Sequence, residues 1–232
     1  MCIRDSRGHS TRHPAAPIVR RPTGMPPALV RACTQKPEPG DDAAAVSLRH
    51  VAQLVPSGPD LADDTVHSLL LTGLYQARTS VWAVTPYFVP DDSLLAALRL
   101  AATRGVDVNL ILPRRSNHRI ADIVREQPLR DFAAAGGKVH LAHCMVHAKA
   151  VVIDDSLALA GSLNLDARSL FLNFELMVAF YSADDIARVQ GWMTDLAGRC
   201  EPYALPEKTS LVRDIGQGLV RWLGFQLSLI HI

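Results

Sequence analysis

The sequence predicts an α/β domain, and three observations carry the prediction. From about Leu48, short apolar runs alternate with stretches whose apolar residues recur at three- and four-residue spacing. Pro, Gly, Asp and Ser punctuate each change of pattern, as residues that end strands and open helices do. One strand-like run, His147-Ala148-Lys149-Ala150-Val151-Val152-Ile153-Asp154, carries its polar groups at the ends of an apolar stretch.

Residues 51–55 read as a short strand ended by Pro56-Ser57-Gly58-Pro59. Asp63 or Asp64 is placed to cap a helix through Leu69, Leu70, Leu74 and Ala77. Residues 80–88 form the next strand, closed by Val89-Pro90. Asp91-Asp92-Ser93 opens a helix with Leu94, Leu95, Leu98 and Ala101 on its apolar face, and Gly105 stops it. Residues 106–112 form an apolar strand stopped by Pro113. The basic group Arg114, Arg115, His118 and Arg119 then opens a helix running to about Ala135. That group has two readings: contact with an anionic head group where strands end, or a plain solvated helix start. Gly136-Gly137 turns the chain into a strand over 138–142. Residues 174–181 form the last strand, and Asp184-Asp185 caps a helix running to about Arg199.

The remaining segments bound the domain. Residues 1–45 are rich in Pro and Arg without helical or strand period, which predicts a disordered linker, or a basic anchor for anionic lipid. The tail over 205–232 places Leu211, Ile215, Leu219, Trp222 and Leu223 near helical spacing, fitting an interfacial helix or one packed on the domain. Met1–Ser6 and Leu227–Ile232 resemble the recurrent non-genomic ends of assembled environmental reads, which implies a piece of a longer reading frame. The N-terminal segment, to about Asp42, shows neither a signal-peptide core nor a membrane-spanning run. A chain of 232 residues that is 48% hydrophobic can bury one sizeable core. A net charge of +1 gives no bias toward nucleic acid. Cys2, Cys33, Cys144 and Cys200 lack paired spacing, which argues against a disulfide framework or zinc site and fits a reducing compartment.

The chemistry concentrates on the run that begins at His147. On a strand, His147 and Lys149 share a face with Val151 and Ile153, while Ala148, Ala150 and Val152 point the other way. Asp154-Asp155-Ser156 supplies a turn and residues 157–160 a return strand, so a hairpin brings Gly161-Ser162 back beside Lys149 and His147. An imidazole, an ammonium, a hydroxyl and the Asn164 amide then converge on a patch suited to phosphate. A neutral imidazole can attack phosphorus, and an imidazolium can protonate a leaving oxygen. Lys149 can hold the negative non-bridging oxygens, with Ser162 and Asn164 as neutral donors and Gly161 permitting close backbone approach. The bland alternative is a buried hairpin in which His147 and Lys149 merely sit at a sheet end.

His147-x-Lys149-x4-Asp154-x6-Gly161-Ser162-x-Asn164 resembles the signature of the phospholipase D superfamily, and within it the chain looks most like bacterial cardiolipin synthases. The resemblance extends through Asp166-Ala167-Arg168-Ser169, Leu172-Asn173-Phe174-Glu175, Thr85-Pro86-Tyr87-Phe88-Val89-Pro90-Asp91 and Ser57-Gly58-Pro59, covering roughly residues 48–203. It implies an α/β/α sandwich over residues 46–204 around a mixed, mainly parallel sheet. It also implies two His-x-Lys motifs facing each other across a pseudo-twofold axis, with a phosphohistidine intermediate and no metal or cofactor. Only His147 is followed by Lys two positions on, so this chain carries half a site. The other half would come from an earlier homologous domain of the same polypeptide or from a second identical subunit. The implied reaction transfers a phosphatidyl group between two phosphatidylglycerol molecules and releases glycerol, at the cytoplasmic side of a bacterial cell membrane. His147 would serve as general acid and base. The alternatives are a homodimeric phosphodiesterase, either phospholipase or nuclease, and a catalytically silent lipid-binding fragment.

The candidate catalytic residues are therefore His147, Lys149, Asp154 and Glu175, with Ser162 and Asn164 binding phosphate. Of the two carboxylates, Glu175 is expected to orient the His147 ring. Asp154 lies seven residues further along the same run, facing away at the turn, about 20 Å off on a straight strand. Glu175 opens an otherwise apolar strand, where a charge is costly unless paired. An edge-strand glutamate facing water is the alternative.

Overall fold

The computed structural model describes residues 52–60 and 64–205. The expectations for residues 1–45, for a cap at Asp63 and for the tail from residue 206 lie outside them. Strand β1 (Ala52–Ser57) runs on through Pro56, which an edge position permits because no ladder hydrogen bond is lost to a second neighbour. Helix α1 (Thr65–Gln76) buries Val66, Leu70 and Leu74, one face at four-residue spacing. Asp64 takes its N-cap position without a side-chain hydrogen bond.

The strand expected over 80–88 is broken. β2 (Ser80–Val84) stays in the main sheet, while β3 (Phe88–Val89) leaves it to pair in parallel with β8 (Leu165–Asp166). Pro86 lacks the N–H that the ladder would need. Buried Thr85 fixes the departure, donating to the Tyr87 carbonyl at 2.8 Å and accepting from Leu165 N at 3.2 Å. Asp91 caps α2 (Asp92–Thr103) by accepting from Ser93 N at 3.0 Å and Leu94 N at 3.4 Å. Gly105 follows the helix at φ +89, the left-handed conformation that glycine adopts without strain.

β4 (Asp107–Pro113) leads into two short helices rather than one, α3 (Arg119–Val124) and α4 (Glu126–Ala134). Pro128 has no N–H to offer the Val124 carbonyl, so the chain re-enters helix with proline in the first turn. β5 (Lys138–Ala142), β6 (Ala150–Ile153) and β7 (Leu157–Gly161) follow, then the short α5 (Ala167–Phe171) and β9 (Glu175–Phe180). α6 (Ala183–Ala197) is capped by Ser182, and Asp184 and Asp185 occupy its first turn. β10 (Glu201–Pro202) closes the described chain and was not expected from its composition.

The main sheet has the order β1-β9-β7-β6-β2-β4-β5-β10. It is mixed, as expected, but not mainly parallel: only β2–β4 and β4–β5 run parallel, and the other five neighbouring pairs are antiparallel. The reason lies in the connections. Helical crossovers separate β2, β4 and β5, whereas a tight turn joins β6 to β7 and permits only antiparallel pairing.

Helices cover both faces. Val81, Ala83, Val151 and Ile153 face a core shared with α1, α2 and α4. Val84, Ala150 and Val152 face a second core with Ile186, Met193 and Ala197 of α6. Alternate residues of β2 and β6 thus enter opposite cores, the pattern of a sheet sandwiched between helix layers.

At one end of β6, Asp154 adopts φ +50, a left-handed turn that aspartate tolerates better than most residues. Its carboxylate accepts from the backbone N–H groups of Arg78 at 3.0 Å, Thr79 at 2.9 Å and Ser80 at 2.9 Å, and from Thr79 Oγ1 at 2.7 Å. Burial raises this carboxyl, but the hydrogen bonds from Ser80, Thr79 and Arg78 outweigh it and hold the pKa below the ordinary value. The stabilisation is therefore complete above the unfolded carboxyl's pKa and is lost as pH falls through the lower folded value. Asp154→Asn keeps the turn but removes the charge, and should cost about 1–3 kcal/mol at neutral pH. Urea midpoints measured against pH should show that gap closing under acid conditions. A gap that persists unchanged at low pH would show the loss to be one of shape.

Candidate active site

The same registers that build the sheet assemble the site at the opposite end of β6. Val84 pairs with Ala150, Ala150 with Ala160, Gly161 with Met177, and Ser57 with Glu175. The residues just before β6, at the end of β7 and at the start of β9 therefore share one sheet end; the hairpin reading expected the first two to meet, and β9 joins them through its pairing with β7. His147 and Lys149 lie in the extended segment leading into β6 rather than within it. Gly161 N donates to the Lys149 carbonyl at 3.1 Å, continuing the ladder one step outward. Glycine is required there, because a Cβ on Gly161 would stand 2.2 Å from the Leu176 carbonyl oxygen.

His147 is exposed and Lys149 half-buried. Lys149 Nζ donates to the His147 carbonyl at 2.9 Å and stands 3.1 Å from Nδ1 and 3.2 Å from Nε2 of its ring. One ammonium thus sits against the imidazole that it is predicted to serve. Burial lowers the Lys149 pKa from the ordinary value, against the Glu175 and Asp166 carboxylates, which favour the ammonium. Burial raises the Asp166 carboxyl, even though the Ser169 backbone and hydroxyl donate to it.

Glu175 does not hold the imidazole. Its Oε2 takes a short hydrogen bond from Ser162 Oγ, and its Oε1 accepts from Asn173 Nδ2 at 3.1 Å. The strand order β9-β7-β6 explains the difference: β7 lies between Glu175 and His147, and Ser162, the residue just after it, meets the carboxylate first. Ser162 Oγ also accepts from Leu176 N at 3.0 Å. The edge alternative fails too, since β9 is flanked by β1 and β7 and Glu175 is only partly exposed. Asp154 is away from the ring, at the far turn, as the alternation expected. Asn164 donates from Nδ2 to Ser169 Oγ at 3.0 Å, and its buried Oδ1 has no protein partner.

Sequence reasoning missed Asp166 and Ser169, although both stand in a segment that it singled out. It also missed how Tyr87 joins two connections at this end, donating to Asn117 Oδ1 at 2.5 Å with its ring edge-on to His118 at 5.3 Å. A separate cluster has His67 Nε2 at 3.2 Å from Asp91 Oδ1 and 3.1 Å from Ser93 Oγ. Both contacts fall on one ring nitrogen, so this imidazole cannot relay between carboxylate and hydroxyl; it ties α1 to the start of α2. Among the described residues, no group of three or more His, Cys, Asp or Glu side chains is placed to hold a metal ion.

Comparison with known proteins gives the family and the fold. The chain is 37% identical over 185 residues to cardiolipin synthase A of Escherichia fergusonii, covering 77% of this chain and 37% of that protein. It is 41% identical over 155 residues to cardiolipin synthase A of Escherichia coli O157:H7, covering 66% and 30%. The chain thus spans about a third of the length of these curated relatives. Its fold is similar to that of Nuc, a phospholipase D family member from Salmonella typhimurium, with TM-score 0.57 and 21% identity over 66% of this chain and 98% of that one. Phosphatidylserine synthase of Haemophilus influenzae shares the fold at TM-score 0.56 and 18% identity, over 78% of this chain and 46% of that one. Residues 70–196, more than half of the chain, match the family described as "Cardiolipin synthase, PLD-like domain". They contain the His147–Lys149 pair and every residue bonded around it, so the chain belongs to the phospholipase D-like domain family of the cardiolipin synthases.

Proposed function

We propose that this chain supplies one half of a phosphatidyltransferase site, in which His147 is the general acid and base and Lys149 the cation on the phosphodiester's non-bridging oxygens. The observation that carries this reading is the Lys149 ammonium standing within 3.2 Å of both ring nitrogens of an exposed histidine. A second His-x-Lys motif would supply the nucleophile, from a homologous domain or from a second copy of the chain. That histidine attacks phosphorus, a P–N bond forms, and the glycerol oxygen leaves with the proton of His147. His147 then takes a proton from the hydroxyl of a second phosphatidylglycerol, whose oxygen attacks phosphorus and breaks the P–N bond. The products are cardiolipin and glycerol, and the proton on His147 is restored. Ser162 and Asn164 serve as neutral donors to the phosphate, Ser162 by turning its hydroxyl from Glu175. Glu175 acts through Ser162 and Lys149, and Asp154 only by holding the hairpin.

Phosphatidylglycerol is met at a bilayer surface, in this reading on the cytoplasmic side of the cell membrane. Among the described residues, no helix is long and apolar enough to cross a membrane.

Purified monomer incubated with phosphatidylglycerol vesicles should form no cardiolipin, and activity should appear when a second His-x-Lys motif completes the site. Robust synthesis by a verified monomer would overturn the half-site. Phosphodiester hydrolysis by a symmetric dimer, without lipid transfer, would favour a homodimeric phosphodiesterase.

In the completed enzyme, Lys149→Ala should lower turnover roughly a hundredfold to a thousandfold, by analogy with a lost oxyanion donor. Apparent substrate affinity should change little. Near-normal turnover with weakened lipid binding would reduce Lys149 to recruiting the head group.

Glu175→Gln removes one of the carboxylates that raise the Lys149 pKa, so the alkaline limb of the pH–rate profile should move to lower pH. An unmoved limb would confine Glu175 to holding Ser162.

A further inference from the structure

The loop after β4 is braced more heavily than a surface connection requires. Beneath it, Arg125 is only 4% exposed, yet it is charged. Its guanidinium donates to the Pro113 carbonyl at 2.9 Å and the Arg114 carbonyl at 2.7 Å, and pairs with Asp122 at 3.1 Å. Asp122 in turn accepts from Ser116 N at 2.9 Å. On the other flank, Tyr87 holds Asn117 and packs against His118. Burying a guanidinium is costly unless it is paired; Nε finds no partner here, but both terminal nitrogens are engaged, and they fix the backbone of a loop whose own side chains are basic. Ion pairing in this region takes Arg114 to Glu201 and Arg125 to Asp122, and leaves Arg115, His118 and Arg119 exposed.

That loop leaves the same sheet end as the site. β4 stands two strands from β6, so the loop lies roughly 10 Å across the sheet from the strand that follows His147 and Lys149. Resting on the reading above, we propose that Arg115, His118 and Arg119 bind the acceptor lipid's own phosphodiester while its free glycerol hydroxyl reaches the phosphorus beside His147. The proposed transfer brings a second anion to the site. Phosphatidylglycerol as acceptor brings one negative phosphate, separated from its attacking oxygen by a three-carbon bridge. Water and simple alcohols bring none. Guanidinium groups suit a phosphodiester because their forked donors pair with two oxygens at once. The loop therefore favours an anionic lipid acceptor over water at a site that is otherwise open to solvent.

The test uses the enzyme completed with its second motif, phosphatidylglycerol in mixed micelles, and added ethanol as a neutral competitor. The readout is the ratio of cardiolipin to phosphatidylethanol, which cancels any change in donor binding. The double variant Arg115→Ala/Arg119→Ala should lower that ratio about tenfold or more, the loss expected for charge-assisted hydrogen bonds, while phosphatidylethanol still forms. Arg99→Ala removes an exposed charge from α2 and should leave the ratio unchanged. An unchanged ratio in the double variant overturns the subsite. A parallel fall in both products also overturns it, and shows that the loop only recruits the enzyme to an anionic surface. A wild-type enzyme that makes neither product overturns phosphatidyl transfer itself.

Discussion

The site depends on one backbone constraint, the register of the β6–β7 hairpin. Asp154 clamps the turn at one end through four donors from Arg78, Thr79 and Ser80, where the chain enters β2. At the other end the Gly161 amide holds the Lys149 carbonyl. Between them, side chains of β6 enter two different cores on alternate residues. A slip of one residue would exchange the two sets, moving His147 and Lys149 to the other face of the sheet. The strand beside which the chemistry stands is therefore fixed by burial, while His147 is exposed and Lys149 half-buried at its end.

This division explains why so much of the site was legible in the sequence. His147, Lys149, Gly161 and Ser162 are related by period-two alternation and one turn, both local properties of the chain. The same alternation put Asp154 at the far turn. Glu175 was misjudged because its partner depends on which strand lies between β9 and β6, and no local pattern states a sheet order. Its apolar strand correctly indicated that the charge needed a partner; the partner is Ser162. The two strand and helix breaks have a simpler cause. Pro86 and Pro128 are visible in the sequence, but hydrophobic periodicity runs past both and masks the missing N–H groups.

The balance of parallel and antiparallel pairing was also hidden. The family resemblance implied a mainly parallel sheet, and only β2, β4 and β5, which helices separate, are parallel. The β1 and β9 pairing joins segments over a hundred residues apart, and β10 is only two residues long. Neither leaves a signal that periodicity can detect. Asp166 and Ser169 fall in the same category: their sequence positions were prominent, but Ser169 meets Asn164 only because α5 turns the chain back.

Arg125 gives the loop after β4 an unusual standing. Connections between elements ordinarily accept insertions and deletions, because their backbones bond to water and little else depends on them. Here two carbonyls and one amide of the connection are spent on groups seated at the edge of the core. The loop cannot lengthen or shorten without stranding a guanidinium away from water. Drift in this segment should therefore proceed by exchanging side chains while the residue count stays fixed. In effect, a surface element has taken on the evolutionary behaviour of an interior one.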